Sequence, residues 1–196
     1  MAEEMIEKFR DGQYAYRLVE EIPPLEEDRS TVYIPAPQLE QLKSQIEDVV
    51  SATRGEMFSM AAMIMGVLGA KYGDEAYEAV EQVMYDYGYQ RAEEFGRIMK
   101  IDPRDARSVG RVFDLEDSQH DIKGEWVETG KKRAVKREYF CPMAEGAAMC
   151  PEMCTRVAAA VEQGTLDGLG VKGKFFFTKL LPKGDPYCEV VIELED

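Results

Sequence analysis

The sequence predicts an α+β fold, with N-terminal helices packed on a four-stranded antiparallel sheet and a cysteine-bearing helix between two hairpins. Apolar residues recur at three- and four-residue spacing through the first half of the 196-residue chain, which is typical of amphipathic helices. After Asp114 the apolar period changes to two, which indicates strands. Segregated helices and hairpins of this order favour the α+β class over alternating α/β architectures.

Composition restricts the classes of partner. The chain has 24 basic and 38 acidic residues and a net charge of −14. Such a charge argues against nucleic-acid binding, which needs a concentrated positive surface, and against an anionic membrane surface. No secretory segment and no apolar run of bilayer length is visible. We therefore expect a cytoplasmic protein whose partner is neither nucleic acid nor a membrane.

The first 36 residues are expected to form an N-terminal arm ahead of a single α+β domain over residues 37–196. Pro23 and Pro24 lie in an acidic stretch and interrupt any regular element, because proline lacks the amide donor. Such an arm either packs on a neighbouring subunit, giving a homodimer, or crosses its own domain as a strap.

Three helices are predicted in the first half of the domain. The first begins near Pro37, and the second, over residues 56–71, is apolar nearly all round, so we expect it in the middle of the core. Its methionines either fill that core or line a ligand pocket. The third covers residues 75–99 and contains Gly88 and Gly96, each costing about 1 kcal/mol relative to alanine. These glycines indicate close approach by another helix or by a ligand.

The second half is predicted to contain the sheet. Strands are expected at residues 122–128, 134–140, 172–181 and 187–194. Between the two hairpins we expect a helix over residues 144–163, in which Pro151 marks the first turn. The spaced glycines from Gly168 to Gly173 precede a strand instead of following one, so they do not predict a phosphate loop.

The four cysteines of the chain are the strongest functional signal. Cys141, Cys150, Cys154 and Cys188 all lie in the last 56 residues. Four thiolates saturate a tetrahedral zinc ion or one iron–sulfur cluster, although the spacing lacks the C-x2-C pairs of zinc ribbons. A second interpretation is one reactive thiol, for which Cys150 near a helix start is the candidate. A third is that all four are small buried hydrophobic residues.

His120 is the only histidine. It follows Asp114, Glu116 and Asp117 and precedes Asp121, and we expect this acidic surrounding to favour its protonated form. A lone histidine is more often an ordinary residue than a catalyst. No Ser-His-Asp arrangement, P-loop or dinucleotide fingerprint is present.

Several short motifs resemble the L-2-amino-thiazoline-4-carboxylic acid hydrolase family. They are Tyr139-Phe140-Cys141-Pro142, Cys150 to Cys154, Phe175 to Lys179, Gly184-Asp185-Pro186-Tyr187-Cys188, and Tyr72-Gly73 ahead of a helix with an internal Gly88. The resemblance covers about residues 40–195, and its C-terminal half is also similar to 4-vinyl reductase-type small-molecule-binding domains. One departure is that this chain has Pro151 and Thr155 after its helix cysteines, where the family usually shows aspartate.

The resemblance implies a small-molecule ligand, a cysteine-ligated zinc ion or iron–sulfur cluster near the pocket and, if the protein is catalytic, hydrolysis of a cyclic C=N bond. A metal-activated water or the Cys150 thiolate would attack the carbon, and Glu145 would transfer protons. Four cysteine ligands leave a zinc ion no open position, so this mechanism needs one cysteine to be released. The alternative is a ligand or redox sensor without turnover that uses the cysteine cluster.

Overall fold

The computed structural model describes residues 36–195 of the chain. The chain divides into two compact units, Met1–Val49 and Val50–Asp196. In the first unit the described residues are helical, and the side chains described there are exposed. Residues 1–35, which make up nearly all of the predicted arm, lie outside the described part, and the arm stays a prediction. The second unit contains the sheet and the helices that pack on it.

The first helix, α1, runs without interruption from Ala36 to Tyr72. The prediction of two helices over this range is wrong. Gly55 is the one glycine between them, and its cost of about 1 kcal/mol relative to alanine does not end the helix. Gly55 lies beside the backbone of Pro142, where an added Cβ atom would be 2.9 Å from the carbonyl oxygen. The glycine is therefore explained by a close tertiary contact instead of a helix end.

The prediction that the apolar part of α1 lies in the middle of the core is also wrong. Ala62 and Met65 are buried and pack in a cluster with Cys150 and other apolar residues. Met57 and Val67, on other sides of the same helix, remain 65% and 67% exposed. Only one stripe of the helix is covered by the described part of the chain, although the sequence is apolar nearly all round.

Helix α2 (Asp74–Met99) confirms the third predicted helix. Gly73 is its N-cap residue, and Asp74 pairs with Arg156 at 2.9 Å. The helix ends at Lys100, which adopts the left-handed conformation and donates its backbone N–H to Gly96.

Two short helices follow that the sequence pattern did not predict: α3 (Ala106–Val109) and α4 (Arg111–His120). The carboxylate of Asp105 caps α3 by accepting backbone hydrogen bonds from Arg107 and Ser108, at 3.0 and 3.2 Å. The predicted change of period after Asp114 is therefore too early. α4 extends to His120, and its buried side carries two acids beside its apolar residues, which obscures the helical pattern.

Four antiparallel strands form one sheet in the order β1-β2-β4-β3, which confirms the predicted fold class. The strands are β1 (Lys123–Thr129), β2 (Arg133–Phe140), β3 (Gly173–Lys179) and β4 (Cys188–Leu194). Their register forms rows of side chains across the sheet. From one end to the other the rows are Ala134, Ile192 and Phe175; then Lys136, Val190 and Phe177; then Glu138 and Cys188. This face therefore changes along the strands from apolar to polar.

The helix predicted between the hairpins is interrupted. It consists of α5 (Ala144–Ala147), a turn at Cys150 and Pro151, a π-helical segment (Met153–Ala158) and α6 (Ala159–Gly168). Proline interrupts the run because it has no amide to donate. A wider π-helical turn follows, a feature often found at functional sites. The break also means that Cys150 and Cys154 do not share one regular α-helix.

Helices α2 and α6 pack closely through glycines. A Cβ atom at Gly88 would overlap the carbonyl oxygen of Val161, and one at Gly164 would overlap that of Tyr85. The predicted close approach at Gly88 is therefore confirmed. A Cβ atom added at Gly96 would lie 3.3 Å from the side chain of Leu169.

No helix within residues 36–195 is both long enough and apolar enough to cross a membrane.

We predict that Gly88→Ala lowers the free energy of unfolding by about 2 kcal/mol or more, because the two helices must move apart. Gly66→Ala in α1 is the matched control, since its Cβ would meet only ordinary contacts at 3.9 Å. That control should be neutral or stabilising by up to about 1 kcal/mol through helix propensity. Urea unfolding of both variants tests this, and equal stabilities would contradict the proposed close packing.

Candidate functional site

A cavity of about 470 Å³ lies against the polar half of the sheet, beneath α2, α4, the π-helical segment and α6. This volume is within the range of small-molecule sites in proteins. Most of its wall is apolar. The apolar lining comprises Phe58, Met84, Tyr87, Phe113, Ile122, Met143, Ala144, Met153, Val157, Ala158, Val161, Phe175, Phe177, Leu180, Pro182 and Val190.

Three phenylalanines form an aromatic wall. The rings of Phe113 and Phe175 stack with centroids 5.2 Å apart, and Phe177 meets Phe175 edge-on at 5.1 Å. Phe113 comes from α4, and the other two come from alternate positions of β3. Rings in this arrangement offer a flat apolar surface on which a further ring can stack.

Polar side chains also line the cavity, and the first group is centred on Arg91 of α2. Its guanidinium pairs with Glu116 of α4 at 2.5 Å and with Glu162 of α6 at 2.9 Å. Burial raises the pKa of both carboxyls, the negative charge of Glu116 adds to the rise at Glu162, and the positive charge of Arg91 opposes the rise at both. One cation therefore serves two buried acids.

A second ion cluster surrounds Lys136 of β2, which is 4% exposed. Its ammonium pairs with Asp117 at 2.5 Å and with Asp114 at 2.9 Å, and the indole N–H of Trp126 also donates to Asp114 at 2.7 Å. Burial disfavours the charge on Lys136, but the two carboxylates outweigh it and raise its pKa. Here too the acids outnumber the cation.

Glu138 is the acid without a partner. It lies one row beyond Lys136 on β2, is 8% exposed and lines the cavity. Within residues 36–195 its carboxyl accepts no hydrogen bond and forms no ion pair. Burial, followed by the negative charge of Asp117, raises its pKa to about 8. A buried carboxyl in this setting holds its proton near neutral pH unless a cation approaches it.

Three of the four cysteines line the same cavity: Cys141, Cys154 and Cys188. Burial raises the pKa of Cys141 to about 11 and those of the other two to about 12, so all three are neutral thiols near pH 7. Burial is the main cause of the raised pKa of Cys154, and the neighbouring Cys188, Cys141, Glu138 and Cys150 add to it. The sulfur of Cys188 also accepts the backbone N–H of Leu181 at 3.3 Å.

The two residues predicted as catalytic lie elsewhere. Cys150 is 2% exposed, and its sulfur lies 3.4 Å from the hydroxyl of Tyr77 and 3.7 Å from the carboxylate of Glu152. Glu145 is exposed and borders a separate groove between α1 and α5. Neither residue lines the cavity, so the structure does not bring them together with the aromatic wall.

Of the four cysteines predicted as metal ligands, three line the cavity and Cys150 does not. Within residues 36–195 no three His, Cys, Asp or Glu side chains are placed so that they could hold a metal ion. The sulfur of Cys150 contacts the hydroxyl of Tyr77. A zinc ion or an iron–sulfur cluster therefore stays a prediction, and Cys141, Cys154 and Cys188 are the thiols that share a site.

His120 also lines the cavity, at the end of α4. The prediction that its acidic neighbours favour the protonated form is wrong. Burial and the positive charges of Arg54 and Arg91 lower its pKa, so the neutral imidazole is favoured.

Most of the polar lining was not predicted from the sequence, namely Arg91, Glu116, Glu138 and Glu162. Two signals were present. Arg91 lies four residues from both Tyr87 and Phe95 on α2, and its guanidinium lies over both rings. Glu138 lies four residues after Ala134 on β2, so both side chains lie on the same, inward face of the sheet. A charged residue at an apolar position of a helix or strand is the pattern that could have identified them.

Comparison with known proteins gives structural neighbours but no sequence relatives. The sequence matches no protein-family profile and no curated protein. A trafficking protein particle complex subunit 3 from Naegleria fowleri, covalently bound to palmitic acid, matches with TM-score 0.52 and 13% identity over 71% of this chain and 95% of that one. The phenol-responsive sensory domain of the transcription activator PoxR, with phenol, matches with TM-score 0.55 and 9% identity over 70% and 74%.

These likenesses show a shared fold. At 9% and 13% identity they do not show a shared family, and the resemblance to the thiazoline hydrolases stays a prediction. Proteins with different functions can share one fold, so the shared arrangement of helices on a sheet does not by itself assign a function.

We predict that Glu138 makes stability depend on pH. Its pKa is higher in the folded state than the ordinary value of 4.5, so the folded protein holds this proton more tightly. The free-energy cost of ionising Glu138 in the folded protein is absent below about pH 4.5, grows as the pH rises, and is complete above about pH 8. Glu138→Gln should therefore match the natural protein at pH 4.5 and exceed its stability by on the order of 2–4 kcal/mol at pH 9.

Urea unfolding of metal-free protein at several pH values measures this difference. Glu93→Gln on the exposed side of α2 is the matched control and should follow the natural protein at every pH. A pH-independent difference between Glu138→Gln and the natural protein would contradict a buried, proton-holding carboxyl.

We also predict that any metal bound by this chain depends on the cavity thiols and not on Cys150. Protein purified without oxygen would be analysed for zinc, iron and sulfide. Loss of bound metal in Cys141→Ala and Cys188→Ala but not in Cys150→Ala is the expected result. Equal loss in all three variants would support the four-thiolate centre expected from the sequence.

If no metal is bound, the natural protein should react slowly with thiol reagents at pH 7.5, because the cavity thiols are neutral.

Proposed function

We propose that this chain is a small-molecule-binding domain of the sensory kind, which holds a ring-bearing ligand without turnover. The observation that carries the proposal is the cavity itself, which combines an aromatic wall with a few converging polar groups. Cavities of this composition are the usual form of small-molecule sites, since apolar surface supplies affinity and the polar groups fix orientation.

The structural neighbours support a ligand of this type. One neighbour is a phenol-responsive sensory domain with phenol, and the other is a protein covalently bound to palmitic acid. Both proteins therefore carry an organic molecule with a large apolar part on the fold that this chain shares. The stacked phenylalanines of the present cavity favour a ring over an acyl chain.

Hydrolysis of a cyclic C=N bond is the second candidate, and it rests on the sequence resemblance. The positions of Cys150 and Glu145 outside the cavity argue against it, because a nucleophile and a proton carrier must reach one reacting atom. Turnover of 2-amino-thiazoline-4-carboxylate by the purified protein, lost in Cys150→Ala, would establish the hydrolase and contradict binding without turnover.

A cavity-filling variant tests the binding proposal. Ala158 lines the cavity, and Ala158→Phe should reduce the space for a ligand. Ala148→Phe, on an exposed turn, is the matched control. A panel of one-ring aromatic compounds should include members that raise the Tm of the natural protein and of Ala148→Phe by several degrees, through binding to the folded state. The same compounds should raise the Tm of Ala158→Phe little.

The circular dichroism spectrum of Ala158→Phe without ligand checks that it folds. Aromatic compounds that stabilise both variants equally would place their binding outside the cavity and contradict the proposal.

A further inference from the structure

The cavity carries an excess of acidic groups. Glu116, Glu138 and Glu162 line it together with Asp117, and the cations beside them are Arg91 and Lys136. Arg91 is shared by two of these acids, and Lys136 is shared by Asp117 and Asp114. No cation within residues 36–195 is paired with Glu138.

The position of Glu138 suits recognition of a ligand head group. Its carboxyl is more than nine-tenths buried and lines the same cavity as the aromatic wall. It lies one row along the sheet from the row of Val190 and Phe177, and neighbouring rows on one face are about 7 Å apart. A ligand whose ring lies against Phe177 would therefore reach Glu138 through a linker of two or three atoms.

We infer that the ligand of this cavity is an aromatic amine, with its ring on the phenylalanine wall and its ammonium group on Glu138. The inference rests on the proposed function and adds the chemical class of the head group. An ammonium group supplies the positive charge that the cluster lacks and donates hydrogen bonds to a carboxyl that has none. A carboxylate ligand would add a further acidic group to a cavity in which the acids already outnumber the cations.

A matched pair of probes tests the head group. 2-Phenylethylamine and 2-phenylethanol have the same ring and linker and differ in charge. Calorimetry with the full chain as purified should give a Kd for the amine at least 10-fold lower than for the alcohol. In Glu138→Gln the two Kd values should become equal within about threefold, while Glu93→Gln keeps the preference of the natural protein. Glu138→Met provides a second variant if Glu138→Gln does not fold, as judged by thermal melting.

The outcomes separate this inference from the proposed function. If the alcohol binds as tightly as the amine to the natural protein, the cavity is a ligand site but the ammonium assignment is overturned. The same holds if Glu138→Gln keeps the amine preference. If neither probe nor any other one-ring compound binds, the proposed function fails and the inference fails with it.

Discussion

Helices α2 and α6 approach each other at Gly88 and Gly164 so closely that a Cβ atom at either position would overlap the backbone of the other helix. Thr165 lies at this contact, and its hydroxyl donates to the carbonyl of Val161 at 2.9 Å, with the carbonyl of Gly88 within reach at 3.3 Å. The same hydroxyl accepts the Nε–H of Arg91 at 2.9 Å. The contact therefore places one guanidinium beside Glu162 and Glu116, and the geometry of the polar part of the cavity depends on it.

Burying this many acids costs stability, and the structure offsets the cost only in part. Arg91 and Lys136 each hold two carboxylates, which keeps most of the cluster paired. Glu138 stays outside both groups. Buried ionisable groups of this kind cluster at functional sites, because an unpaired buried acid has no structural benefit to offset its desolvation.

The cysteines show how tertiary placement divides a sequence motif. Three of the four cysteines lie close together in the sequence, and the fourth lies on a predicted strand of the same sheet. Because four thiolates saturate one metal site, the sequence predicts that all four meet. Pro151 and the π-helical segment separate Cys150 from Cys154, so one thiol meets Tyr77 while three line the cavity. The spacing of cysteines could not reveal this, because it depends on a local departure from α-helical geometry.

The sequence by itself determined the α+β class, the four strands and the close approach at Gly88. These features follow from apolar period and from the conformational cost of glycine, which act locally along the chain. Helix α4 could not be predicted in this way because its buried side carries Glu116 and Asp117, and a period argument counts acids as exposed. Only the tertiary structure decided that Arg91, Glu116, Glu138 and Glu162 meet. They come from four elements distant in sequence, and their side chains share one cavity only because the helices pack on the polar half of the sheet.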